Sequence, residues 1–479
     1  MKAQRSDEGW REECGVFAAV GVPRAAEITA LGLHALQHRG QESSGIVSCD
    51  EQDVFHAHKG LGLVSDVYRG LDFAGLPGAL AIGHNRYSTA GGLTLENTQP
   101  LRVVYRGGSL ALAHNGNLVN AVELRRRLEE SGSIFQTTLD SEVFLHLIAL
   151  SSAAGAEEAL VEAAHKVRGA YSLVLLTPGA VLVLRDPHGF RPLCLGRHGE
   201  GWVVASETCA LDLVGAEYVR DVEPGELVRL ESGGLRSRRV FPREVPLHHC
   251  VFEHIYFSRP DSRVFGAGVD GVRRRIGHRL AREHPADADV VIAVPDSSNS
   301  IALGYSEESG IRFELGLIRN HYIGRTFIQP QPSGRDSSVR IKFNPVRDVL
   351  EGRRLVVVDD SIVRGTTSRK LVRMLRRAGA REVHFRVGSP PVTHPCFYGI
   401  DTPSRRELIG ALRSVDEIRD YLGVDSLGYL SLEGLLSCES EPGRFCRACF
   451  TGEYPVPVDP HSGKLDLEYL HPAGAPHAR

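Results

Sequence analysis

The sequence predicts two mixed α/β domains in one chain. The first half reads as layered sheets covered by helices, and the second as an open parallel sheet with helices on its faces. Three observations carry this. Between 290 and 387, short apolar runs alternate with helical patterns, the arrangement that gives parallel strands joined by right-handed crossovers. Within that stretch, Leu355-Val356-Val357-Val358 is apolar without a break, as in a strand buried on both faces, and it ends in Asp359-Asp360. Ahead of residue 240, many strand-like runs are interleaved with only a few helices, which suits packed sheets and not a barrel.

Taken in order, 14–20 reads as a buried first strand and 25–35 as a helix, followed by a polar, glycine-punctuated loop over 37–45. Further strands are expected at 79–83, 110–114, 172–176 and 181–185, with helices at 120–131, 139–150 and 157–167. A new region opens after His248-His249-Cys250 with Tyr256-Phe257-Ser258-Arg259-Pro260-Asp261-Ser262. It continues with a helix over 272–283, a strand at 290–294, a helix over 301–309 and strands at 313–317 and 355–360. A helix over 368–378, closed by Gly379, and a strand at 382–387 follow. The expected division is a leader 1–13, a first domain 14–245, a second 246–450 and a tail 451–479, disordered over 471–479.

Composition excludes several classes. The formal net charge of −3 argues against nucleic acid or an anionic membrane as the main partner. No apolar stretch approaches the ~20 residues that span a bilayer, and the polar start of the chain lacks a signal-peptide core. A cytoplasmic protein is expected, so the nine Cys are catalytic, metal-bound or free before they are disulfides.

The chemistry concentrates in a few segments. The amides of Arg364, Gly365, Thr366 and Thr367 should open a helix after Ser361, where unsatisfied N–H groups and the dipole favour an anion such as phosphate. Asp359 and Asp360 can take ribose hydroxyls and, with Mg²⁺, a pyrophosphate. The bland alternative is a strand-turn-helix with two surface acids. Pro295-Asp296-Ser297-Ser298 ends a second strand in an acid and hydroxyls at the same sheet edge. Residues 320–344, with Tyr322, Arg325, Arg335, Arg340 and Lys342, read as a lid; an ordinary solvated loop is the alternative. Only six of 56 basic residues are Lys, which singles out Lys342 as a pyrophosphate contact.

Cys14, opening a buried strand, is alone best read as a small hydrophobe. Three other segments change that reading: His84-Asn85-Arg86-Tyr87-Ser88-Thr89-Ala90-Gly91, Ala113-His114-Asn115-Gly116-Asn117 and Leu139-Asp140-Ser141-Glu142. With Leu36-Gln37-His38-Arg39-Gly40-Gln41-Glu42-Ser43-Ser44-Gly45-Ile46, they resemble the N-terminal-nucleophile (Ntn) glutamine amidotransferase domain, an αββα fold, over about 14–240. Hydrolysis of the glutamine amide needs a nucleophile, a base and an oxyanion hole. Removal of 1–13 would free the Cys14 α-amine, whose pKa of ~7.7–8.0 suits a general base. The resemblance implies that Asn115 and the Gly116 N–H form the oxyanion hole. It also implies that Arg86 and Thr89 meet the glutamine carboxylate and Asp140 its ammonium. On their own, Asn115-Gly116 could be a hairpin turn and Arg86 a surface ion pair.

The 355–367 segment is similar to the binding motif of type I phosphoribosyltransferases, whose substrate is phosphoribosyl pyrophosphate (PRPP). This resemblance places Ser297 with Asp359 and Asp360 around Mg²⁺. Cys446-Arg447-Ala448-Cys449 leaves zinc, iron–sulfur and redox readings open. Joined, the halves resemble the cluster-bearing bacterial glutamine PRPP amidotransferases. Purine nucleotides inhibit that family, and its cluster-bearing branch forms homotetramers. The resemblance implies a [4Fe–4S] cluster on Cys250, Cys396, Cys446 and Cys449; four thiolates also suit zinc. Cys438 departs from that scheme, and Cys49, Cys194 and Cys209 have no chemical role in it. A sugar-phosphate amidotransferase lacks the second-half motif, and a catalytically dead nucleotide-binding regulator has no need of the Cys14 set.

Overall fold

The computed structural model describes residues 14–87, 94–320, 343–402, 404–458 and Leu467. Two sheets dominate the first half. One runs, in spatial order, Glu217–Asp221, Cys194–His198, Gly201–Ala205, Gly15–Val20, Leu80–Arg86, Ser43–Cys49 and Phe55–Leu61. The other runs Gly234–Arg239, Glu226–Glu231, Ala180–Arg185, Gly169–Thr177, Gly108–Leu118 and Leu101–Tyr105. Neighbouring strands in both are antiparallel.

The alternation of side chains explains why four layers form. Val16, Ala18 and Val20 face the second sheet, where they meet Ala111, Ala113, Val174 and Leu176. Phe17 and Ala19 point the other way, onto Ala26 and Leu33 of helix Ala25–Ala35. On the far side, Leu110, Leu112, Leu173 and Leu175 pack on Leu128, Phe144 and Leu160 of three helices. Both sheets are therefore covered on both faces, giving helix, sheet, sheet, helix. An apolar strand such as Gly15–Val20 is buried along its whole length.

The second half is built on the parallel strands Val290–Ala293, Arg354–Asp359, Glu382–Val387 and Ser426–Tyr429, in that order across the sheet. Helices Val269–Glu283 and Asn299–Ser309 pack on each other through Gly277 and Gly304. A Cβ on Gly304 would stand 2.1 Å from the Arg274 carbonyl oxygen, so only glycine permits that approach. The strand expected at 313–317 shrinks to one bridge, Phe313 to Val291. A tight turn, Gly316 N–H to Glu314 O at 3.0 Å, diverts the chain into Leu317–Arg319, which pairs antiparallel with Phe343–Pro345. The helix expected over 368–378 is Thr366–Arg377 and starts earlier because left-handed Gly365 caps it. Of the C-terminal segment, 451–458 is packed: the Tyr398 hydroxyl donates to Val456 O at 2.7 Å and accepts its N–H at 3.0 Å. Residues 471–479 lie outside the described residues. Among the described residues no helix is long and apolar enough to cross a membrane.

Candidate functional site

Cys14 stands where a central strand begins. Gly15 lies opposite Asn85, which brings the preceding residue to the strand end that carries Arg86. The thiol is buried and donates to the Tyr87 carbonyl at 3.5 Å. Burial pushes it up to about 11; the Arg86 guanidinium pulls it down, and the Asp140 and Glu42 carboxylates add to the rise. Those mutual influences put Cys14, Arg86 and Asp140 in one neighbourhood. Arg86 itself is 1% exposed, so it is no surface ion pair.

Asp140 is held in place just before helix Glu142–Leu150. Its Oδ2 accepts the Leu118 N–H at 2.8 Å and its Oδ1 the Ser141 hydroxyl at 3.2 Å. Asn115 and Gly116 are not a hairpin turn. They lie inside strand Gly108–Leu118, opposite Ser172 and Tyr171. The Asn115 Nδ2 donor is buried and has no hydrogen-bond partner among the described residues. Gly116 has φ +149°, and a Cβ there would stand 2.0 Å from Ala170 O. That backbone conformation is open to glycine and closed to larger residues.

The second cluster sits at the carboxyl edge of the parallel sheet, where such sheets bind ligands. The Ser297 hydroxyl donates to Asp360 Oδ2, and Ser298 Oγ reaches Asp359 Oδ1 at 3.3 Å. Ser361 Oγ donates to Asp360 Oδ1 at 2.6 Å. The loop after one strand is thus tied to the acid pair ending the next. Burial first, then the Asp360 carboxylate, push Asp359 well above the carboxylate range. Burial also raises Asp360, opposed by the Ser297 and Ser361 hydroxyls and by Arg273. Gly365, at φ +73°, turns the chain into the helix at Thr366 and Thr367. The Arg364 side chain reaches Glu407 Oε1 at 3.2 Å, so its expected contribution to anion binding comes from the backbone amide.

The four expected cluster cysteines are neighbours. Strands His249–Cys250 and Phe445–Cys446 pair in parallel with Cys250 opposite Cys446. Burial, then the Cys446, Cys250 and Cys396 thiols, raise Cys449 well above its usual value. Burial pushes Cys446 up to about 12. None of the nine cysteines is in a disulfide. Among the described residues no three His, Cys, Asp or Glu side chains stand at metal-binding geometry. Cys438 donates to Gly434 O at 3.3 Å, in the same apolar cluster.

Thr89, Lys342 and the lid residues Tyr322, Arg325, Arg335 and Arg340 lie outside the described residues. The sequence reading places Ser298 in its loop without a role of its own and passes over Arg273. Arg273 is fully buried; its Nε donates to His254 O at 2.7 Å and its Nη2 to Ser258 O at 2.8 Å. Its signal was present: a lone Arg on the apolar stripe of Val269, Val272, Ile276 and Leu280.

A glutamine amidotransferase domain model matches residues 84–213. Amidophosphoribosyltransferase 2 of Arabidopsis thaliana, chloroplastic, is 55% identical over 452 residues, covering 94% of this chain and 80% of that protein. Amidophosphoribosyltransferase of Bacillus subtilis (strain 168) is 51% identical over 460 residues, covering 94% and 96%. A solved structure of glutamine PRPP amidotransferase from B. subtilis, complexed with ADP and GMP, superposes with a TM-score of 0.89 at 49% identity, covering 94% of this chain and 99% of that one. At such identity over nearly the whole length, the chain belongs to the amidophosphoribosyltransferase family and is a glutamine-dependent amidotransferase acting on PRPP.

Proposed function

We propose that the two clusters divide the reaction, glutamine being opened at Cys14 and PRPP being held over Asp359 and Asp360. The observation that carries this is the buried Asn115 Nδ2, without a hydrogen-bond partner among the described residues, on the sheet facing the Cys14 strand. An idle donor in a dry place is costly unless a developing oxyanion takes it up. In this reading the Cys14 thiolate attacks the glutamine carboxamide carbon, and Asn115 Nδ2 with the Gly116 N–H holds the oxyanion. Arg86, with Thr89, holds the α-carboxylate and Asp140 the α-ammonium. Collapse breaks the C–N bond and releases ammonia, leaving a thioester that water opens to glutamate. Cleavage between Glu13 and Cys14 supplies the free amine that takes the thiol proton and returns it to the leaving nitrogen.

Ammonia then crosses to PRPP out of water, because ammonium has no lone pair for attack. It bonds to C1 as the C1–O bond to pyrophosphate breaks, giving 5-phosphoribosylamine. The amides of 364–367 hold the 5-phosphate, the acid pair the ribose hydroxyls, and Lys342 the pyrophosphate. Ser297, Asp359 and Asp360 would hold Mg²⁺, which when bound offsets charge on the leaving pyrophosphate. Their oxygen-only donor set and the raised carboxylates fit a hard cation. The test is pyrophosphate release from PRPP with Mg²⁺ and glutamine, ammonia or neither. Release with either nitrogen donor and none without supports the reading; donor-independent release or none overturns it. AMP and GMP share the ribose phosphate and compete with PRPP in the same assay, in keeping with the nucleotides bound to the B. subtilis relative.

Cys250, Cys396, Cys446 and Cys449 would hold a [4Fe–4S] cluster, which when bound would staple the C-terminal segment onto both domains. Cys250 lies opposite Cys446, and Cys449 feels the Cys446, Cys250 and Cys396 thiols, which supports a shared site; loading would have to draw the side chains together, since among the described residues no three stand at metal-binding geometry. Anaerobically purified protein is expected to carry about four iron atoms and as many labile sulfides per chain. Cys446→Ser should lose both. One zinc per chain, or no metal, would sink the assignment.

A further inference from the structure

Residues 397–399 of the second half reach across the molecule and lie against the strand of Asn115 and Gly116. A Cβ placed on Gly399, whose φ is +105°, would stand 3.0 Å from the Gly116 carbonyl carbon and 3.1 Å from its Cα. The two glycine backbones are thus close enough that a methyl group on Gly399 would press the Gly116 backbone by a few tenths of an ångström. Flanking bonds fix this approach. Asn117 Nδ2 donates to Phe397 O at 2.9 Å, and Arg191 donates from Nε at 3.0 Å and Nη2 at 2.7 Å to Tyr398 O. Arg191 is fully buried and its Nη1 lies 3.5 Å from Glu253 Oε1. Glu253 also takes Arg39 at 2.7 Å, and Arg39 Nε donates to the Cys14 carbonyl at 3.3 Å. The Phe190 and Tyr398 rings stack at 4.3 Å over the same seam.

A donor to an oxyanion works only if held within about half an ångström of its productive position. Gly116 has no side chain to hold its peptide still. Both Ala170 O and Gly399 crowd it. We infer that the segment Phe397-Tyr398-Gly399 positions the oxyanion hole, with Gly399 and Asn117 as positioning residues for glutamine hydrolysis. This rests on the reading of Asn115 and Gly116 given above. The loop that carries Cys396 thereby sets how well the first half works, although it touches no glutamine.

The test uses Gly399→Ala and Asn117→Ala in the full-length protein. The first pushes a methyl group onto the Gly116 backbone; the second removes one tether without adding bulk. Three quantities are read: kcat and KM for glutamine hydrolysis, ammonia-dependent pyrophosphate release, and affinity for glutamate and for 2-amino-4-cyanobutyrate. The thiol adds to that nitrile carbon, its proton passes to the nitrile nitrogen, and that nitrogen sits where the oxyanion would. The expected result is a fall in kcat of about 10- to 100-fold with KM held within about twofold. Nitrile affinity should fall with kcat, while glutamate affinity and the ammonia-dependent rate stay unchanged. If Gly399→Ala fails to fold, Asn117→Ala decides. Unchanged kcat, or parallel loss of the ammonia-dependent rate, overturns the inference. Asn115→Ala separates the two levels. If it keeps full kcat, the oxyanion assignment itself is wrong. If it loses kcat while both seam variants keep theirs, only the seam inference falls.

Discussion

Cys14→Ala should abolish pyrophosphate release driven by glutamine while leaving the ammonia-driven rate within about twofold. The expected loss is on the order of 10⁴-fold or more, the scale at which removal of a catalytic nucleophile is felt. The thiol is the sole nucleophile the first cluster offers among the described residues, and its hydrogen bond goes to Tyr87 O in the first half. Burial pushes it up to about 11, so at pH 7 roughly one thiol in ten thousand would ionise unaided. A base must therefore take the proton during attack. Protein retaining residues 1–13 keeps the thiol but lacks the free amine, and should hydrolyse glutamine as poorly as Cys14→Ala. Intact mass read beside glutamate release checks this. Full activity with the leader attached would remove the amine from the mechanism. Loss of both rates in Cys14→Ala would sink the two-site account.

Asp359→Asn should give the opposite pattern. Both nitrogen donors should lose pyrophosphate release, on the order of 10²–10³-fold, because a charge that holds substrate and Mg²⁺ disappears. The same substitution should raise the thermal stability of the ligand-free protein. Burial and the Asp360 carboxylate push Asp359 up. A carboxyl whose folded pKa exceeds its unfolded one contributes stability at low pH, and loses it as pH rises through the raised value. At neutral pH, above the unfolded carboxyl's pKa, keeping this carboxyl buried beside Asp360 opposes folding, and a neutral Asn removes that cost. The Tm of Asp359→Asn should exceed that of the parent by about 1–3 °C at neutral pH, the gap closing toward pH 4. Mg²⁺ with PRPP should raise the parent's Tm and leave the variant's nearly unmoved. Retained pyrophosphate release with normal Mg²⁺ dependence would remove Asp359 from the site.

Much of this was legible in the sequence because the chemistry sits at strand ends. The apolar run Leu355-Val356-Val357-Val358 is too short for a helix when two acids and a glycine follow so soon, and the strand Arg354–Asp359 ends within a residue of where the pattern places it. The Cys14 strand was equally clear, since residues covered on both faces must all be apolar. What stayed hidden depended on distant partners. Asn115-Gly116 has the local look of a turn, and only the long pairing with Gly169–Thr177 makes it strand. Phe313 to Leu317 has strand propensity, yet the Gly316 turn swings the chain aside. Arg191 and Glu253 carry no local signal, because a buried charge is explained only by the residue that faces it.

That last feature limits how freely the halves could be exchanged. Arg39 and Arg191 belong to the first half, Glu253 to the start of the second, and all three are fully buried. A glutaminase module moved onto another synthase would carry two guanidiniums into a seam without the carboxylate that bridges them. A second half grafted alone would bury that carboxylate stripped of both guanidiniums. Any working transplant must move the arginines and the glutamate as a set, together with Gly399 where it backs onto Gly116. The two catalysts in this chain are thus separate in chemistry but not in heredity.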